Sequence, residues 1–246
     1  MKALLLDLGN SRWKAAMADA GGLTEVIGAG YGDTGGLADW LHRYHHGVDG
    51  IWLSSVVDAS RTGRLLARVA EQLPLEVTRV TTADPMPDLR SGYRKPQQLG
   101  IDRLLAMVAV RSLTRHPFCV VDAGSAVTID FVDADGQHLG GFILPGERLS
   151  RDCLLSNTSI PRDAEVEGRA VLGRDTPTAV ALGSRYAVAG IVERFTRGCA
   201  ALFQDQAVDL FVGGGDAEQL MPLMPIACTK LDHLVLRGLA VLAAER

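Results

Sequence analysis

Two stretches of this chain follow the same order of residues: an apolar run, an aspartate, one further residue, a glycine and then small polar residues. The first contains Asp7 and Gly9, and the second contains Asp122 and Gly124. Such apolar runs predict buried strands, and each Asp-x-Gly predicts a tight turn where the strand ends. A single copy is ordinarily a simple β-turn. Two copies in the same order predict two similar half-molecules that face one nucleotide.

The turn after Asp7 carries groups that hold phosphates in proteins. The Asp7 carboxylate can bind Mg²⁺, while Gly9, Asn10, Ser11 and Lys14 offer donors to phosphate oxygens. The first turn is therefore predicted to be a phosphate site.

The composition is that of a soluble globular protein. The chain has 246 residues, of which 47% are hydrophobic and 22% charged, so it can form one large domain or two of ordinary size. The net charge of −4 and the pI near 5.9 give no basic surface for nucleic acid or for an anionic membrane. An anion must therefore be bound by a few nearby groups and not by the overall charge of the surface. We predict neither a nucleic acid nor a membrane partner.

The cysteines and the apolar runs favour a reducing cytoplasm. No two cysteines form a Cys-x-x-Cys pair, so we predict buried, reduced thiols. The apolar run after Lys2 is cut short by Asp7, which argues against a signal peptide, and no run is long enough to span a bilayer. The cysteines are Cys119, Cys153, Cys199 and Cys228.

The first 80 residues predict the order β-β-β-α-β-α-β. Either Asp58 or Ser60 is a plausible cap for the second helix. Hairpin-linked strands followed by alternating helices favour a mixed sheet with crossover helices on its faces. The predicted strands lie at 3–7, 13–18, 24–30, 51–57 and 77–80, and the helices at 37–44 and about 58–73.

The second half restarts this pattern after an irregular segment at 81–99 and a helix from Gly100. A weakly patterned stretch follows at 156–175, and the apolar residues from Thr176 to Phe203 predict one long helix or two broken near Gly183 or Gly190. We predict an N-terminal lobe at 1–115 and a C-terminal lobe at 116–246. The remaining predicted strands lie at 118–122, 127–132, 138–144, 208–212 and 226–229, with helices at 147–155, 218–221 and 232–244.

Three features could carry phosphoryl transfer, which depends mainly on charge neutralisation and alignment. Either Asp7 or Asp122 could hold cations. Asp102, in the first turn of a predicted helix, is our candidate for the base that takes the proton of an attacking hydroxyl, although an aspartate there is also ordinary. The glycines at 213–215 follow a strand and suit the adenosine end of ATP, although a plain strand-to-helix turn is the commoner explanation.

Other catalytic patterns are absent or weak. The sequence contains neither Gly-x-x-x-x-Gly-Lys-Ser/Thr nor Gly-x-Ser-x-Gly. Three histidines, His42, His45 and His46, share a helix end, where a solvated terminus is favoured over a metal site.

Taken together, these segments resemble the type III pantothenate kinases, relatives of sugar kinases, acetate kinases, actin and the heat-shock ATPases. The matching motifs run in the family's order over nearly the whole chain. They are Asp7-Leu8-Gly9-Asn10-Ser11, Gly92-Tyr93, Gly100-Ile101-Asp102-Arg103, Asp122-Ala123-Gly124-Ser125-Ala126, Gly140-Gly141-Phe142-Ile143-Leu144-Pro145-Gly146, Thr176, and Gly213-Gly214-Gly215-Asp216-Ala217.

The resemblance implies an α/β fold of two ribonuclease H-like (actin-like ATPase) lobes, each a mixed sheet flanked by helices, with the nucleotide in the cleft between them. It implies transfer of the ATP γ-phosphate to the terminal hydroxyl of pantothenate, the first step of coenzyme A synthesis. Mg²⁺ and a monovalent cation, K⁺ or NH₄⁺, are the implied cofactors. A homodimer with the substrate pocket at the subunit interface is also implied.

The resemblance assigns roles to particular residues of this chain. Asp102 is the implied general base, and Asp122 the implied ligand of the monovalent cation, while Asp7 remains our candidate for Mg²⁺. The implied ATP-binding residues are Asp7, Leu8, Gly9, Asn10, Ser11, Arg12, Trp13, Lys14 and Ser125, to which we add Gly213, Gly214 and Gly215. The implied pantothenate-binding residues are Tyr93, Gly100, Ile101, Asp102, Arg103 and Thr176.

One position departs from the family pattern, and two other functions compete. Ser125 stands where the family commonly has threonine, so the hydroxyl is kept and a methyl group is lost, which predicts a looser turn. One alternative is another small-molecule kinase or phosphatase on the same scaffold. The other is a non-catalytic regulator linked to transcription, against which the acidic pI and the retained aspartates argue.

Overall fold

Two five-stranded mixed sheets form the framework of the chain. The structure, a computed structural model, describes residues 2–33, 35–158 and 171–245. In chain order the elements are β1 (Ala3–Leu8), β2 (Arg12–Asp19), β3 (Gly22–Gly30), α1 (Gly35–Tyr44), β4 (Gly50–Ser55), α2 (Ala59–Ala70), β5 (Val77–Arg79), α3 (Ile101–Arg111), β6 (Phe118–Ala123), β7 (Ala126–Val132), β8 (His138–Pro145), α4 (Glu147–Asn157), α5 (Thr176–Thr196), β9 (Asp209–Gly213), α6 (Ala217–Leu220), β10 (Cys228–Lys230) and α7 (Leu234–Ala244). Short 3₁₀ turns lie at Pro96–Gln98, Ala200–Phe203 and Met221–Leu223.

The two sheets have the same strand order. The first runs β3-β2-β1-β4-β5, and the second, from its other end, runs β8-β7-β6-β9-β10. β1 is antiparallel to β2 and parallel to β4, and β6 has the same relation to β7 and β9. The predicted repetition of one pattern in the two halves is confirmed, and Asp7 and Asp122 occupy the same position in the matching strands β1 and β6.

Contacts divide the chain into two units whose ends differ from the predicted lobes. The first unit comprises Met1–Arg115, Gly136–His138 and His233–Arg246, and the second comprises His116–Asp135 and Leu139–Asp232. The predicted C-terminal lobe ran to residue 246, whereas α7 belongs by its contacts to the first unit. Gly238 explains the close packing of α7 on α3, because a Cβ there would lie 2.2 Å from the Leu105 carbonyl oxygen.

In the first unit, helices cover both faces of β1. Leu4, Leu6 and Leu8 pack in a core with residues of α1 and α2. Because successive side chains of a strand alternate between faces, Leu5 and Asp7 lie on the opposite face, towards the side where α7 contacts β1, β2 and β4. All six residues of β1 are therefore buried, as its unbroken apolar run predicted. Asp58, not Ser60, caps α2, and its carboxylate accepts the Arg61 N–H at 2.8 Å.

The second unit has a core rich in phenylalanine. Phe131 lies at its centre, with ring centroids 5.3 Å from Phe195 and 6.0 Å from Phe203. α5 runs unbroken through Gly183 and Gly190 and ends at Thr196, so the single-helix alternative is confirmed, but the end predicted at Phe203 is wrong. Phe203 belongs instead to a separate 3₁₀ turn. The predicted irregular segment at 156–175 lies largely outside the described residues.

All four cysteines are free, but only Cys119 is buried, so the expectation of uniform burial is wrong. Cys153 is exposed because it lies on α4, none of whose residues is buried. Burial raises the pKa of the Cys119 thiol well above its usual value. Within the described ranges, none of the helices has the length and apolar character that crossing a membrane requires.

Candidate active site

The first predicted phosphate turn joins β1 to β2. Asp7 is only 7% exposed and stands in register with Lys14 on β2 and with Ser54 on β4. Asn10 and Ser11, beyond the end of β1, are exposed. The turn therefore combines an accessible backbone with a carboxylate and an ammonium group on adjacent strands, which is the donor set that a metal-bound phosphate requires.

Leu8 and Trp13 were predicted to bind ATP, but their side chains belong to the core of the first unit. The Trp13 indole N–H donates to the Asp33 carbonyl at 3.3 Å. Any contact of these two residues with ATP must therefore be made by their main chain. The Arg12 guanidinium is exposed and donates to the Gly28 carbonyl at 3.1 Å, which holds it along β3.

Tyr31 anchors this turn, and the sequence reading missed it. Its hydroxyl donates to the Gly9 carbonyl at 2.8 Å, and the Arg61 guanidinium lies 5.5 Å from its ring centroid. Burial, and after it the negative charge of Asp7, raises the pKa of Tyr31 to about 12. No local pattern marks Tyr31, because its partner is reached only by the pairing of β2 with β3.

As the pH is raised, the free energy of unfolding of the Tyr31→Phe variant is expected to fall less than that of the unchanged chain. The pKa of Tyr31 is about 12 in the folded chain, against roughly 10 for an unfolded tyrosine. The unfolded state therefore loses the phenolic proton first, and the free energy of unfolding falls as the pH rises from about 10 towards 12. Urea unfolding at a series of alkaline pH values measures this fall. The exposed Tyr186→Phe change is the control, and equal alkaline curves for Tyr31→Phe and the unchanged chain would contradict the assignment.

The second turn is built from three backbone segments that meet in the second unit. The Gly146 N–H donates to the Ser125 carbonyl at 3.0 Å, and the Asp216 N–H donates to the Ala123 carbonyl at 3.0 Å. A Cβ on Gly146 would lie 2.2 Å from the Gly124 carbonyl oxygen. The Asp-x-Gly turn, the glycine after β8 and the glycine triplet after β9 therefore form one site, although they are distant in the sequence.

The glycine triplet differs from residue to residue. Gly213 ends β9 in register with Asp122, whereas Gly214 has φ +91° and lies against Ala123. Asp216, which follows the triplet, has its pKa raised by burial and then by the charge of Glu147. The three glycines thus leave bare backbone next to the Asp122 strand, as a ribose or phosphate needs.

A largely buried ion pair stands beside this turn. The Arg185 guanidinium donates to the two Glu147 carboxylate oxygens at 2.6 and 3.2 Å, and the side chains are 13% and 26% exposed. Bidentate geometry of this kind fixes both side chains. It thereby fixes the start of α4 against α5, next to Asp216.

The predicted acceptor residues of the first unit lie together at the start of α3. Asp102 is in its first turn and is partly exposed. Gly100 precedes the helix, and a Cβ there would lie 2.4 Å from Asp102 Oδ1, so glycine leaves room for the carboxylate. Arg103 is buried, donates from Nη1 to the Tyr93 hydroxyl at 2.5 Å, and has its guanidinium carbon 5.5 Å from the Tyr93 ring centroid.

His138 stacks on Tyr93, a role that the sequence did not indicate. The two rings are nearly parallel, at 16° with centroids 5.9 Å apart, and the His138 N–H of the main chain donates to the Arg90 carbonyl at 2.9 Å. A Cβ on Gly92 would lie 1.9 Å from the His138 carbonyl oxygen, so this glycine of the Gly92-Tyr93 motif permits the contact.

If Tyr93 contacts the acceptor substrate, as the resemblance implies, replacing His138 with alanine is expected to raise the KM for the acceptor by about 2- to 10-fold, since an aromatic contact contributes roughly 0.5–1.5 kcal/mol. The KM for the phosphoryl donor should stay near its original value. Steady-state kinetics with each substrate varied in turn measures both constants, and His138→Phe, which keeps the ring, should restore most of the loss. An equal rise in both KM values would show that His138 only supports the fold.

Thr176 is exposed at the first position of α5 in the second unit. Asp175 caps this helix, accepting the Thr178 N–H at 2.8 Å and the Thr178 hydroxyl at 2.9 Å. Thr176 lines an open cavity of about 880 Å³, together with Ser150, Cys153 and Ser184. This predicted acceptor residue therefore borders a space large enough for a small organic substrate.

The predicted Mg²⁺ ligand is compatible with the structure around it. Mg²⁺ is usually held by one or two carboxylates together with substrate phosphates and water. Asp7 supplies one carboxylate, and the neighbouring Ser54 Oγ is buried without a hydrogen-bond partner in the described chain. Across 2–33, 35–158 and 171–245, no three His, Cys, Asp or Glu side chains form a metal cluster, and this includes His42 in the last turn of α1 with His45 and His46 just after it.

Solved structures with the same fold place the chain in a class. An archaeal actin homologue matches with TM-score 0.53 and 13% identity, and a putative N-acetylmannosamine kinase from Listeria monocytogenes with TM-score 0.54 and 12% identity, each over 100% of both chains. A structure described as a conserved putative Baf family transcriptional activator from Campylobacter jejuni matches with TM-score 0.60 and 24% identity over 98% of both chains. The fold is that of the actin-like ATPases and sugar kinases.

Sequence relatives narrow this class to one family. The model for type III pantothenate kinases matches residues 3–198. A protein named type III pantothenate kinase from Ectopseudomonas mendocina is 36% identical, and the match covers 97% of the chain and 97% of that protein. A protein of the same name from Burkholderia vietnamiensis is 34% identical, and the match covers 98% of the chain and 96% of that protein. The chain belongs to the type III pantothenate kinase family, which confirms the resemblance seen in its motifs.

Proposed function

We propose that the chain transfers the γ-phosphate of ATP to the terminal hydroxyl of pantothenate and releases 4′-phosphopantothenate. The observation that carries this proposal is the match to the family over nearly the whole chain, with aspartates at the same position of the two matching strands β1 and β6. A transcription-linked role is not favoured, because the retained carboxylates serve phosphoryl transfer and the chain is acidic.

On the nucleotide side, residues 7 to 14 bind the ATP phosphates through the exposed backbone of the turn and the Lys14 ammonium, and Ser125 adds a hydroxyl. Gly213 to Gly215 lie against the adenosine. Asp7 would hold Mg²⁺, which would supply positive charge beside the phosphates, and Asp122 would hold a monovalent cation, K⁺ or NH₄⁺. The support is the donor set at each turn, a carboxylate with open backbone beside it.

On the acceptor side, Asp102 takes the proton of the pantothenate hydroxyl as that oxygen attacks the γ-phosphorus. A carboxylate at the first turn of α3 is partly exposed, so it can reach a bound substrate. Tyr93 and Arg103, fixed by their mutual hydrogen bond, orient the acceptor with the backbone of Gly100 and Ile101. Thr176 contributes its exposed hydroxyl from the start of α5.

We include a homodimer and a cytoplasmic location in the proposal. The support for a dimer is α4, whose apolar side chains Leu149 and Leu154 are 50% and 42% exposed, and the neighbouring β8, where Ile143 is 62% exposed. Apolar side chains exposed on adjacent elements are typical of an interface. The free cysteines support a reducing compartment.

The proposed reaction is tested with the purified chain, ATP, Mg²⁺ and a panel of hydroxyl acceptors that includes pantothenate and several hexoses. Mass spectrometry of the products should show phosphopantothenate as the main product, with activity lost when K⁺ and NH₄⁺ are replaced by a large organic cation. A hexose phosphate as the main product would favour the other small-molecule kinase. No phosphoryl transfer to any acceptor, with tight and salt-sensitive DNA binding, would favour the regulator.

The proposed dimer is expected to dissociate when Leu154 is replaced by glutamate, because a charge would be buried in an apolar contact. Sedimentation equilibrium should then give the monomer mass, and turnover of pantothenate should fall with it. Leu113→Glu is the matched control, since Leu113 is 58% exposed in the first unit. A Leu154→Glu chain that stays dimeric would place the interface elsewhere.

A further inference from the structure

Ser54 has a buried hydroxyl that finds no hydrogen-bond partner among the described residues, and it lies beside the carboxylate proposed to hold Mg²⁺. Its exposure is 0%, and Oγ makes no hydrogen bond to any described residue. The next residue, Ser55, is also buried, but its hydroxyl lies 2.9 Å from that of Thr62. A buried hydroxyl that lacks a partner destabilises the folded chain, so an unpaired one needs an explanation.

The sheet places Ser54 next to Asp7. The two residues are partners in the parallel pairing of β1 and β4, where neighbouring strands are about 4.8 Å apart. Leu53 and Leu6 point into the core shared with α1 and α2, so Ser54 and Asp7 share the opposite face. Lys14 on β2 completes the row, because it is the partner of Asp7 on the other side.

The matching position of the second sheet supports a ligand-related role. There Asp122 takes the place of Asp7, and its partner on the parallel strand β9 is Gly213. Gly213 opens the glycine triplet proposed to lie against the nucleotide. Ser54 and Gly213 therefore occupy matching positions beside the strand-end aspartates of the two units. Both lie at the carboxyl ends of the strands, where ligands bind in open α/β sheets and where the nucleotide is expected.

We propose that Ser54 is a positioning residue for Asp7. When Mg²⁺ and nucleotide are bound, the Ser54 hydroxyl donates to one Asp7 carboxylate oxygen and leaves the other oxygen for the metal and its water. This hydrogen bond fixes the orientation of the carboxylate, as outer-shell partners do for metal ligands in general. The inference rests on the proposed function of the Asp7 turn in binding metal and phosphate.

The test compares Ser54→Ala with Ser55→Ala, two changes of the same chemistry at adjacent buried positions. Ser54→Ala should keep or raise the Tm of the chain without ligand, because it removes a buried group that has no partner. Ser55→Ala should lower the Tm, because it breaks the hydrogen bond with Thr62. Differential scanning calorimetry without ligand measures both.

The second readout is the response to metal and nucleotide. For Ser54→Ala, the Mg²⁺ concentration that gives half-maximal activity should rise by about 5- to 10-fold, with the KM for pantothenate unchanged. The Tm increase caused by Mg²⁺ with a non-hydrolysable ATP analogue should become smaller in the same variant. Ser55→Ala should keep the original Mg²⁺ response in both measurements.

A Ser54→Ala chain with the original Mg²⁺ response would overturn the inference, and so would one that loses stability as Ser55→Ala does. The thermal measurement with the ATP analogue needs no acceptor. If the unchanged chain binds Mg²⁺ and nucleotide but does not phosphorylate pantothenate, the choice of acceptor fails while the role of Ser54 is still decided by the thermal shifts.

Discussion

Asp102→Asn should lower kcat for pantothenate phosphorylation by about 10²- to 10⁴-fold, the usual contribution of a positioned general base. Asparagine keeps the size of the side chain but cannot take a proton. The space beside Gly100 accepts either residue, because the amide replaces the carboxylate without added bulk. The KM for ATP should change little, since the proposed nucleotide contacts lie on other segments.

The fold should survive this change. Asp102 is partly exposed in the first turn of α3, where replacing a negative charge costs about 0.3–1 kcal/mol through the helix dipole. Initial rates with saturating ATP, together with thermal unfolding, separate the two effects. Asp39→Asn, an exposed carboxylate on α1, is the control and should keep full turnover. Unchanged turnover in Asp102→Asn would mean that another group accepts the proton.

Gly214→Ala should both destabilise the chain and weaken nucleotide binding. Gly214 has φ +91°, which a side chain resists, and an added Cβ would lie 2.2 Å from the Ala123 carbonyl oxygen. Together the two effects should cost at least about 2 kcal/mol, which lowers the Tm by roughly 4–8 °C in a chain of this length. Because Ala123 follows Asp122, movement there also displaces the second turn, and the KM for ATP should rise about 10-fold or more.

Gly215→Ala is the matched control for this prediction. Gly215 is the next residue, but a Cβ there meets nothing within 4 Å, and its φ lies outside the left-handed range. Its Tm should therefore stay near that of the unchanged chain. Calorimetry and ATP titration of both variants decide the question. Equal losses in the two variants would mean that the triplet needs flexibility in general and not the contact between Gly214 and Ala123.

Much of the fold could be predicted because its signals are local. The order β-β-β-α-β-α-β in the first 80 residues follows from apolar runs, hairpin turns and helical spacing, and every element of it is present. The strand-end positions of Asp7 and Asp122 follow from the same local pattern. The end of α5 could not be read in this way, since Ala200–Phe203 is as apolar as the helix before it.

The residues that support the site could not be predicted, because their partners are far away along the chain. Tyr31 reaches Gly9 only through the pairing of β2 with β3, and His138 reaches Tyr93 from a hairpin more than forty residues later. The run of three glycines at 213–215 likewise did not say which of them is indispensable. The contact with Ala123 decides that.

The sequence by itself determined the strands, the turns and the family, since these depend on residue order over a few positions and on motifs that occur together. Only the tertiary structure decided that α7 joins the first unit, that Leu8 and Trp13 face a core, and that Ser54 stands beside Asp7. The physical reason is register: once β1 pairs with β4, alternation of side chains sets which groups share a face, and no local pattern specifies that pairing.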